Sequence, residues 1–589
     1  MTSDVIASIV KNDWIEFCAH QVVDAKLLWF NSREQAGEEG LKNSIDITRH
    51  EFLRENAYAI SANKSFNKVI FNINNSKMLV AERYGGSGIG SNGGGARCGN
   101  TEKYQLKGVG ANCFASEKSD FLHSYGGLDA PSAIIETINS YIFGKILPLG
   151  TVKIHGLIWI GEEAGFDVTK NANCKGFIMV RDKSLRPAHL MRTIGFVPRN
   201  EYESIVINDV ARLRKINKLL AKSLGGHTQF IALLGRFLKN HANQFGFARA
   251  ARLMNGVISP SNCTMDGRWI DLNSCSLVGG GINYSIQTQF FTEHELPLTY
   301  AIELLYSYSK YNGINLDATP LINYYKDQFL AHFQHHIGFV IGYSRDLNFQ
   351  FSDSWTQVTK AFYQVIHANN TIMVERAIFD KNDPVFALIR ALYLSLYSRH
   401  ADIEYCKAGL YDQTTQASLS NSFKEVIDAG YNQHILQVEN FSLSYHQFIV
   451  VAFINSLKRS YYSAAFYLPL LENTVRKFCE KIQTANTEKF VNAYCDTADW
   501  IYEFSVSIVT LFKSEDLNIY LDTSTDTYHF KELHISHQFQ SYKLLFEFLE
   551  AQAFEKLWIH DFYALEFFKA LSEVLLEKER AYPIVEQYL

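Results

Sequence analysis

Proline is scarce, 10 in 589 residues, and no Gly-X-Y period or linker-like tract is present, which excludes a collagen-like or low-complexity chain. Long apolar runs are missing too: Phe448 to Ile454 is typical of the longest, far short of the roughly 20 residues a membrane helix needs. The nine cysteines are odd in number, scattered and without a CxxC pair, so neither a disulfide framework nor a zinc ribbon is expected. Neither sign of charge dominates. Against 61 Asp plus Glu stand 56 Lys plus Arg, and a net charge of −5 gives no global pull toward nucleic acid or anionic lipid. The opening MTSDVIASIVKNDWIEF has no basic stretch followed by an apolar one, so the expected setting is cytoplasmic, with no membrane span and no nucleic-acid partner.

What is present is a globular composition, 47% hydrophobic and 14% aromatic, over a length of about two to four domains. Residues 1–60 are expected to form a helical N-terminal cap, on the apolar spacing of Val5, Ile6, Ile9, Trp14 and Phe17 and then Val22, Val23, Leu27, Leu28 and Trp29. Residues 61–200 change period. KVIFNIN, KMLVAERY, KYQLKGVG, TVKIHGLIWIG and GFIMV are short β-type runs separated by turn residues, interrupted by one helix-like stretch near 129–146. Residues 201–345 read as long amphipathic helices broken by one strand-like hairpin, CTMDGRWIDL (263–272), with a turn at Asp266-Gly267. Residues 346–589 are expected to be helical throughout. The order of a β-rich lobe and then a helical lobe with one hairpin defines an α+β chain of protein-kinase-like, two-lobed plan with a large helical C-terminal extension.

Four places carry chemistry. From Arg83 to Arg97 seven glycines fall within fifteen residues, and such a loop can turn successive N–H groups toward anionic oxygens; the alternative is an ordinary hairpin tip. No Gly-Lys-Ser/Thr follows it, so it is not a Walker A loop. Lys107 sits in an apolar strand where an unpaired ammonium is costly, and Glu136 is the one carboxylate on an apolar helical stretch. A strand lysine paired with a helix glutamate is how kinases hold a lysine against nucleotide phosphates. Asn262 and Asp271 flank the hairpin, and their amide and carboxylate oxygens suit a shared Mg²⁺; read blandly, they are a turn residue and a cap.

Taken in order over residues 80–275, these segments resemble the selenoprotein O family, kinase-fold enzymes that bind ATP in an inverted orientation and transfer AMP to protein hydroxyls. The resemblance implies a cradle at Gly93, Gly94, Gly95 and Arg97, where the family's acidic residue is absent. It implies phosphate-binding Lys107 from Leu106 to Gly110, its partner Glu136, phosphate-holding Arg181 and Arg192 around Pro187 to Met191, and Mg²⁺ ligands Asn262 and Asp271, the last two at the family's nine-residue interval. Ser261 stands where the family has its general-base aspartate, and the chain closes Val585 to Leu589 without the family's redox motif. The wording Tyr84-Gly-Gly-Ser-Gly-Ile-Gly, His123-Ser-Tyr-Gly-Gly-Leu128 and Leu185-Arg-Pro-Ala-His-Leu190 is also similar to the MchC-like proteins that help mature siderophore-carrying microcins.

The implied function is an ATP- and Mg²⁺-dependent adenylyltransferase acting on a peptide carboxylate, with a precursor peptide or protein as acceptor and an acyltransferase-like partner. The alternatives are AMPylation of protein hydroxyls and an ATP-binding pseudoenzyme scaffold. His332 and His336, four apart, could put two metal ligands on one helix face, but no HExxH glutamate accompanies them; His529, His534 and His537 read as structural.

Overall fold

The computed structural model describes residues 2–34, 42–203, 208–278, 289–345, 352–367, 383–397, 413–437, 443–481, 486–553 and 562–581. Cys406 and the closing Val585 to Leu589 lie outside them.

The expected helical cap is only partly helical. α1 (Thr2–Lys11) and α2 (Lys42–Asn56) flank two strands, β1 (Ile15–Val22) and β2 (Lys26–Phe30). Ile15, Phe17 and Ala19 alternate with Glu16 and Cys18, and Asp24-Ala25 supplies a turn, so a period of two overlies the helical spacing. Ladder partners distant in sequence decide between them: β1 pairs with β4 and β2 with β7.

With β3 (Tyr58–Ala59), β4 (Phe71–Ala81), β5 (Cys98–Asn100), β6 (Tyr104–Lys107), β7 (Ile154–Asp167) and β8 (Ala172–Asp182), these strands form one sheet. Its order is β2-β7-β8-β6-β5-β4-β1-β3, antiparallel at every step. Consecutive β1 and β2 lie six strand positions apart, which in a flat sheet is about 29 Å. The link from Val22 to Lys26 spans at most about 14 Å. The sheet must therefore curl until its two ends approach each other.

Strand alternation then sorts the faces. Leu106, Ile158, Ile178 and Val180 pack with Ala19, Phe52 and Leu79 on one side. Leu157, Phe177 and Met179 pack against α3 (Ala130–Ile146) on the other. The same period sets Gln105, Lys107 and Arg181 on the α3 side. α3 starts where the sequence expects a helix: the Asp129 carboxylate accepts from the Ser132 N–H at 2.9 Å, and Pro131 occupies the first turn.

Beyond the sheet come α4 (Asp209–Ser223) and α5 (His227–Ala250), then a short ladder of β9 (Leu253–Met254) with β10 (Ser276–Leu277). Between β9 and β10 lies the expected hairpin, reduced to a single Cys263–Trp269 bridge. Its turn holds, with the Gly267 N–H on the Thr264 carbonyl at 3.2 Å. Gly267 has φ +97, and a Cβ there would fall 2.6 Å from Leu149.

Four later helices matter below: α6 (Leu296–Asn312), α7 (Thr319–Val340), α8 (Tyr445–Tyr461) and α9 (Thr487–Tyr502). The C-terminal region is not wholly helical. A four-stranded antiparallel meander, β11 (Ile508–Lys513), β12 (Leu517–Asp522), β13 (Thr527–Glu532) and β14 (Ile535–Phe539), interrupts it. IVTLFK and LNIYLD carry the β-branched and aromatic residues that fit a pleated surface, with Ser, Asp and Thr at the turns. The result is a mixed α/β chain, and no helix among the described residues is long and apolar enough to cross a membrane.

Candidate functional site

A cleft of about 580 Å³ opens between the glycine-rich loop, the edge of β5 and β6, and the segment from Gly256 to Ser274. Lys107, at the end of β6, reaches the Glu136 carboxylate of α3 at 2.7 Å and Asp271 at 2.5 Å. Arg181, on β8 two strands' width from β5, donates to Glu136 at 3.0 Å and to Asp271 at 2.7 Å. Four groups that lie far apart in the chain thus form one alternating square of charge, because strand period, helix face and hairpin all aim at the same spot. Lys107, Glu136 and Arg181 are each at most 5% exposed, whereas Asp271 keeps 19% toward the cleft.

Asp271 reaches this position in a left-handed backbone conformation, φ 62° and ψ 57°. A non-glycine residue held there stores of order 1 kcal/mol or more, and such strain gathers at functional positions. Burial would raise its carboxyl, but Arg181, Lys107 and Arg186 outweigh burial and hold it well below the usual carboxylate range.

Asn262 lines the same cleft. Its amide nitrogen donates to the Val257 carbonyl at 2.9 Å, which orients the amide and leaves Oδ1 as an acceptor, touched among the described residues by the Ser261 hydroxyl at 3.4 Å. Ser261 pairs with the Ser259 hydroxyl at 2.9 Å.

The loop from Arg83 to Arg97 covers this floor. A Cβ on Gly88 would sit 2.5 Å from the Ser259 hydroxyl, and one on Gly94 would sit 2.0 Å from the Glu82 carbonyl, so glycine is required at both for contact. Its N–H groups are used differently from expectation. Gly85 donates to Ala188, Gly86 to Arg192, Gly93 to Phe114 and Gly95 to Glu82, all carbonyls of the chain itself. Gly94, Gly95 and Arg97 line the cleft, but Gly93 packs behind it, where a Cβ would meet Phe196 at 2.7 Å.

Arg192 is the other departure: its side chain is exposed and does not line the cleft, and only its carbonyl takes part, accepting from Gly86. The second arginine in the cleft is Arg186. It is 1% exposed, lies over the Tyr84 ring at 5.4 Å, and donates to the Ser261 carbonyl at 2.8 Å and to Gln105 at 3.1 Å. Asp271 is 3.7 Å from it. No local pattern in the sequence singles it out.

Glu293 is the second residue without a sequence cue. It is buried on the cleft wall just before α6, and its two oxygens accept from the N–H groups of Asn255 and Gly256 at 2.9 and 3.0 Å, tethering the start of the loop that carries Asn262. Burial pushes its carboxyl up to about 7. Four cations, Arg97, Lys107, Arg181 and Arg186, therefore gather around Asp271 and Glu136, while Glu293 lines the cleft wall. The arrangement is suited to an anion that brings its own negative charge together with a hard cation held by carboxylate and amide oxygens. His332 and His336 lie elsewhere, on α7, and His529 stacks on Tyr520 within the C-terminal meander.

No protein-family model matches the chain, and no curated protein matches it.

Proposed function

We propose that the protein is an ATP- and Mg²⁺-dependent adenylyltransferase with a selenoprotein O-like, kinase-like two-lobed frame, acting on a carboxylate of a peptide during maturation of a siderophore-carrying microcin. The observation that carries it is the square of Lys107, Glu136, Arg181 and Asp271 under a glycine-rich loop, with Ser261 where a general base would stand. Asn262 and Asp271 are the residues that would hold Mg²⁺, and Lys107, Arg181, Arg186 and Arg97 those that would hold phosphates. Bound Mg·ATP supplies an electrophilic α-phosphorus with pyrophosphate as leaving group.

The chain's own contribution is positional and electrostatic. Lys107 and Arg181 are fixed in place by Glu136, so they meet developing phosphate charge without reorganising. Ser261 cannot take a proton near neutral pH, which handicaps a hydroxyl acceptor but not a carboxylate, already ionised with a reference pKa near ~3.5 at a chain terminus. The carboxylate oxygen would attack the α-phosphorus, pyrophosphate would leave, and the acyl-adenylate would pass to the acyltransferase-like partner. A scaffold reading, in which ATP only stiffens the chain for that partner, draws on one observation: Asp271 is already tied by both Lys107 and Arg181.

The test is incubation of the protein with candidate precursor peptides and Mg·ATP labelled separately at the α and γ positions, with hydroxylamine as trap. The expected outcome is transfer of the α label, a C-terminal hydroxamate, AMP and pyrophosphate, with no gain from Ser261→Asp. Full turnover of precursor and partner with Asn262 and Asp271 both replaced by alanine overturns the adenylation reading in favour of the scaffold.

A further inference from the structure

A second cleft, of about 720 Å³, opens among α7, α8 and the end of α9, and it shares no lining residue with the first. α7 presents His332, His335 and His336 to it, a spacing that puts all three on one helical face. Arg459 of α8 is 7% exposed and lies 4.0 Å over the Phe339 ring. One edge of its guanidinium ends α7, donating to the Phe339 and Tyr343 carbonyls at 2.7 and 2.9 Å. Its Nε is buried with no partner, and so is Nε2 of His332. Arg345 adds a further cation, its guanidinium on the Lys145, Ile146 and Leu147 carbonyls.

Among the described residues no aspartate or glutamate lines this cleft. That is unusual, since buried cations are ordinarily paired with carboxylates and buried donors are ordinarily satisfied. The electrostatics agree with the geometry. Burial first, and Arg345 second, push Arg459 down to about 9; burial and the neighbouring imidazoles push His336 well below its ordinary value. Helix capping accounts for one edge of Arg459. It does not account for the buried, unpartnered Nε or for Nε2 of His332; the His336 imidazole is held separately, by Asn243 Oδ1 at 2.7 Å.

We propose that this cleft is a second ligand site, which takes a small oxyanion, carboxylate or phosphate, between Arg459 and the α7 histidines. An oxyanion offers acceptors only, which is what the two unpartnered nitrogens, Arg459 Nε and Nε2 of His332, lack. Phe339, Tyr502 and Phe504 line the rest and suit an apolar or aromatic body attached to the anion. The proposal stands whether or not the first cleft binds ATP.

The experiment titrates the full chain with inorganic phosphate and, separately, with benzoate, following the imidazole resonances of isotope-labelled histidine and, in parallel, the melting temperature. Saturable binding of one probe or both is expected, phosphate alone marking a phosphate ligand and benzoate alone a carboxylate. Affinity should fall about tenfold or more in Arg459→Met and in His332→Leu. His332 is half-exposed, so its variant keeps the test intact if the buried arginine cannot be replaced without unfolding. The proposal fails if neither probe saturates at tens of millimolar, or if binding survives undiminished in His332→Leu.

Discussion

At the centre of the first cleft a single carboxylate answers two buried cations, and this governs what each substitution should do. Removing Asp271 leaves Lys107, Arg181 and Arg186 facing the cleft with Glu136 alone behind them. Asp271→Ala should therefore bind metal-free ATP at least as well as the native chain while losing the gain that Mg²⁺ brings; calorimetry with and without chelator reads both. Equal Mg²⁺ enhancement in the two proteins would count against Asp271 as a ligand of the proposed Mg²⁺ site. Lys107→Ala and Glu136→Ala should each destabilise the site, but by less than the ~3–5 kcal/mol of a fully stranded buried charge, because Arg181 or Asp271 still answers the group left behind. The double variant should be little worse than either, and additive losses in the cycle would contradict the observed pairing. Lys107 and Glu136 were legible in sequence because each is a lone charge on an apolar element and so demands a partner. Arg186 was not: its partners, the Ser261 carbonyl and Gln105, lie 75 and 81 residues away, and no local pattern announces them.

Elements rather than residues position Asp271, and His241 shows how. It is fully buried on α5 between Phe237 and Phe245, and its Nε2–H donates to the Thr264 carbonyl at 2.9 Å, pinning the turn that leads to Asp271. Burial pushes it down to about 4. Between pH 6.5 and about 4 the unfolded chain therefore binds a proton that the folded chain does not, and stability falls as the pH falls through that window. The loss attributable to this one imidazole reaches about 3 kcal/mol at the acid end. His241→Gln keeps a donor for Thr264 and removes the titration, so denaturant unfolding of the variant should show a correspondingly flatter acid limb. Parallel limbs for the two proteins would mean that the imidazole is not held neutral. At this scale the sequence is readable where one period is unopposed, as in α3 and the strands after residue 68. It misleads at β1 and β2, where helical and strand periods coincide over a few residues and only the ladders to β4 and β7 decide. The C-terminal meander is a different failure: its period-two runs are visible, but long helical flanks mask them.

The whole molecule is held by contacts that no sequence window contains. α9 lies against both α3 and the β2 edge of the large sheet, and Asp499 is the joint. Its carboxylate accepts from Arg33 at 2.7 Å, from Lys145 at 2.7 Å and from the Tyr141 hydroxyl at 2.9 and 3.0 Å, while Asn492 takes the Trp29 indole N–H at 3.1 Å. Arg33 and Asp499 are 466 residues apart, so this contact ties the first of the expected regions to the last. β2 is a terminal strand of the sheet, paired along one side with β7, and it is supported further by α2, through Phe52 against Phe30, and by this helix. Asp499 is about one-third exposed, which limits what the three donors contribute; Asp499→Ala should cost about 1–2 kcal/mol overall. The more telling readout is local. Hydrogen exchange should show the β2 amides, Lys26 to Phe30, losing protection in Asp499→Ala, although the substitution lies in the last fifth of the chain. Protection lost in α9 alone, with β2 unchanged, would mean that the helix rests on the sheet edge without holding it.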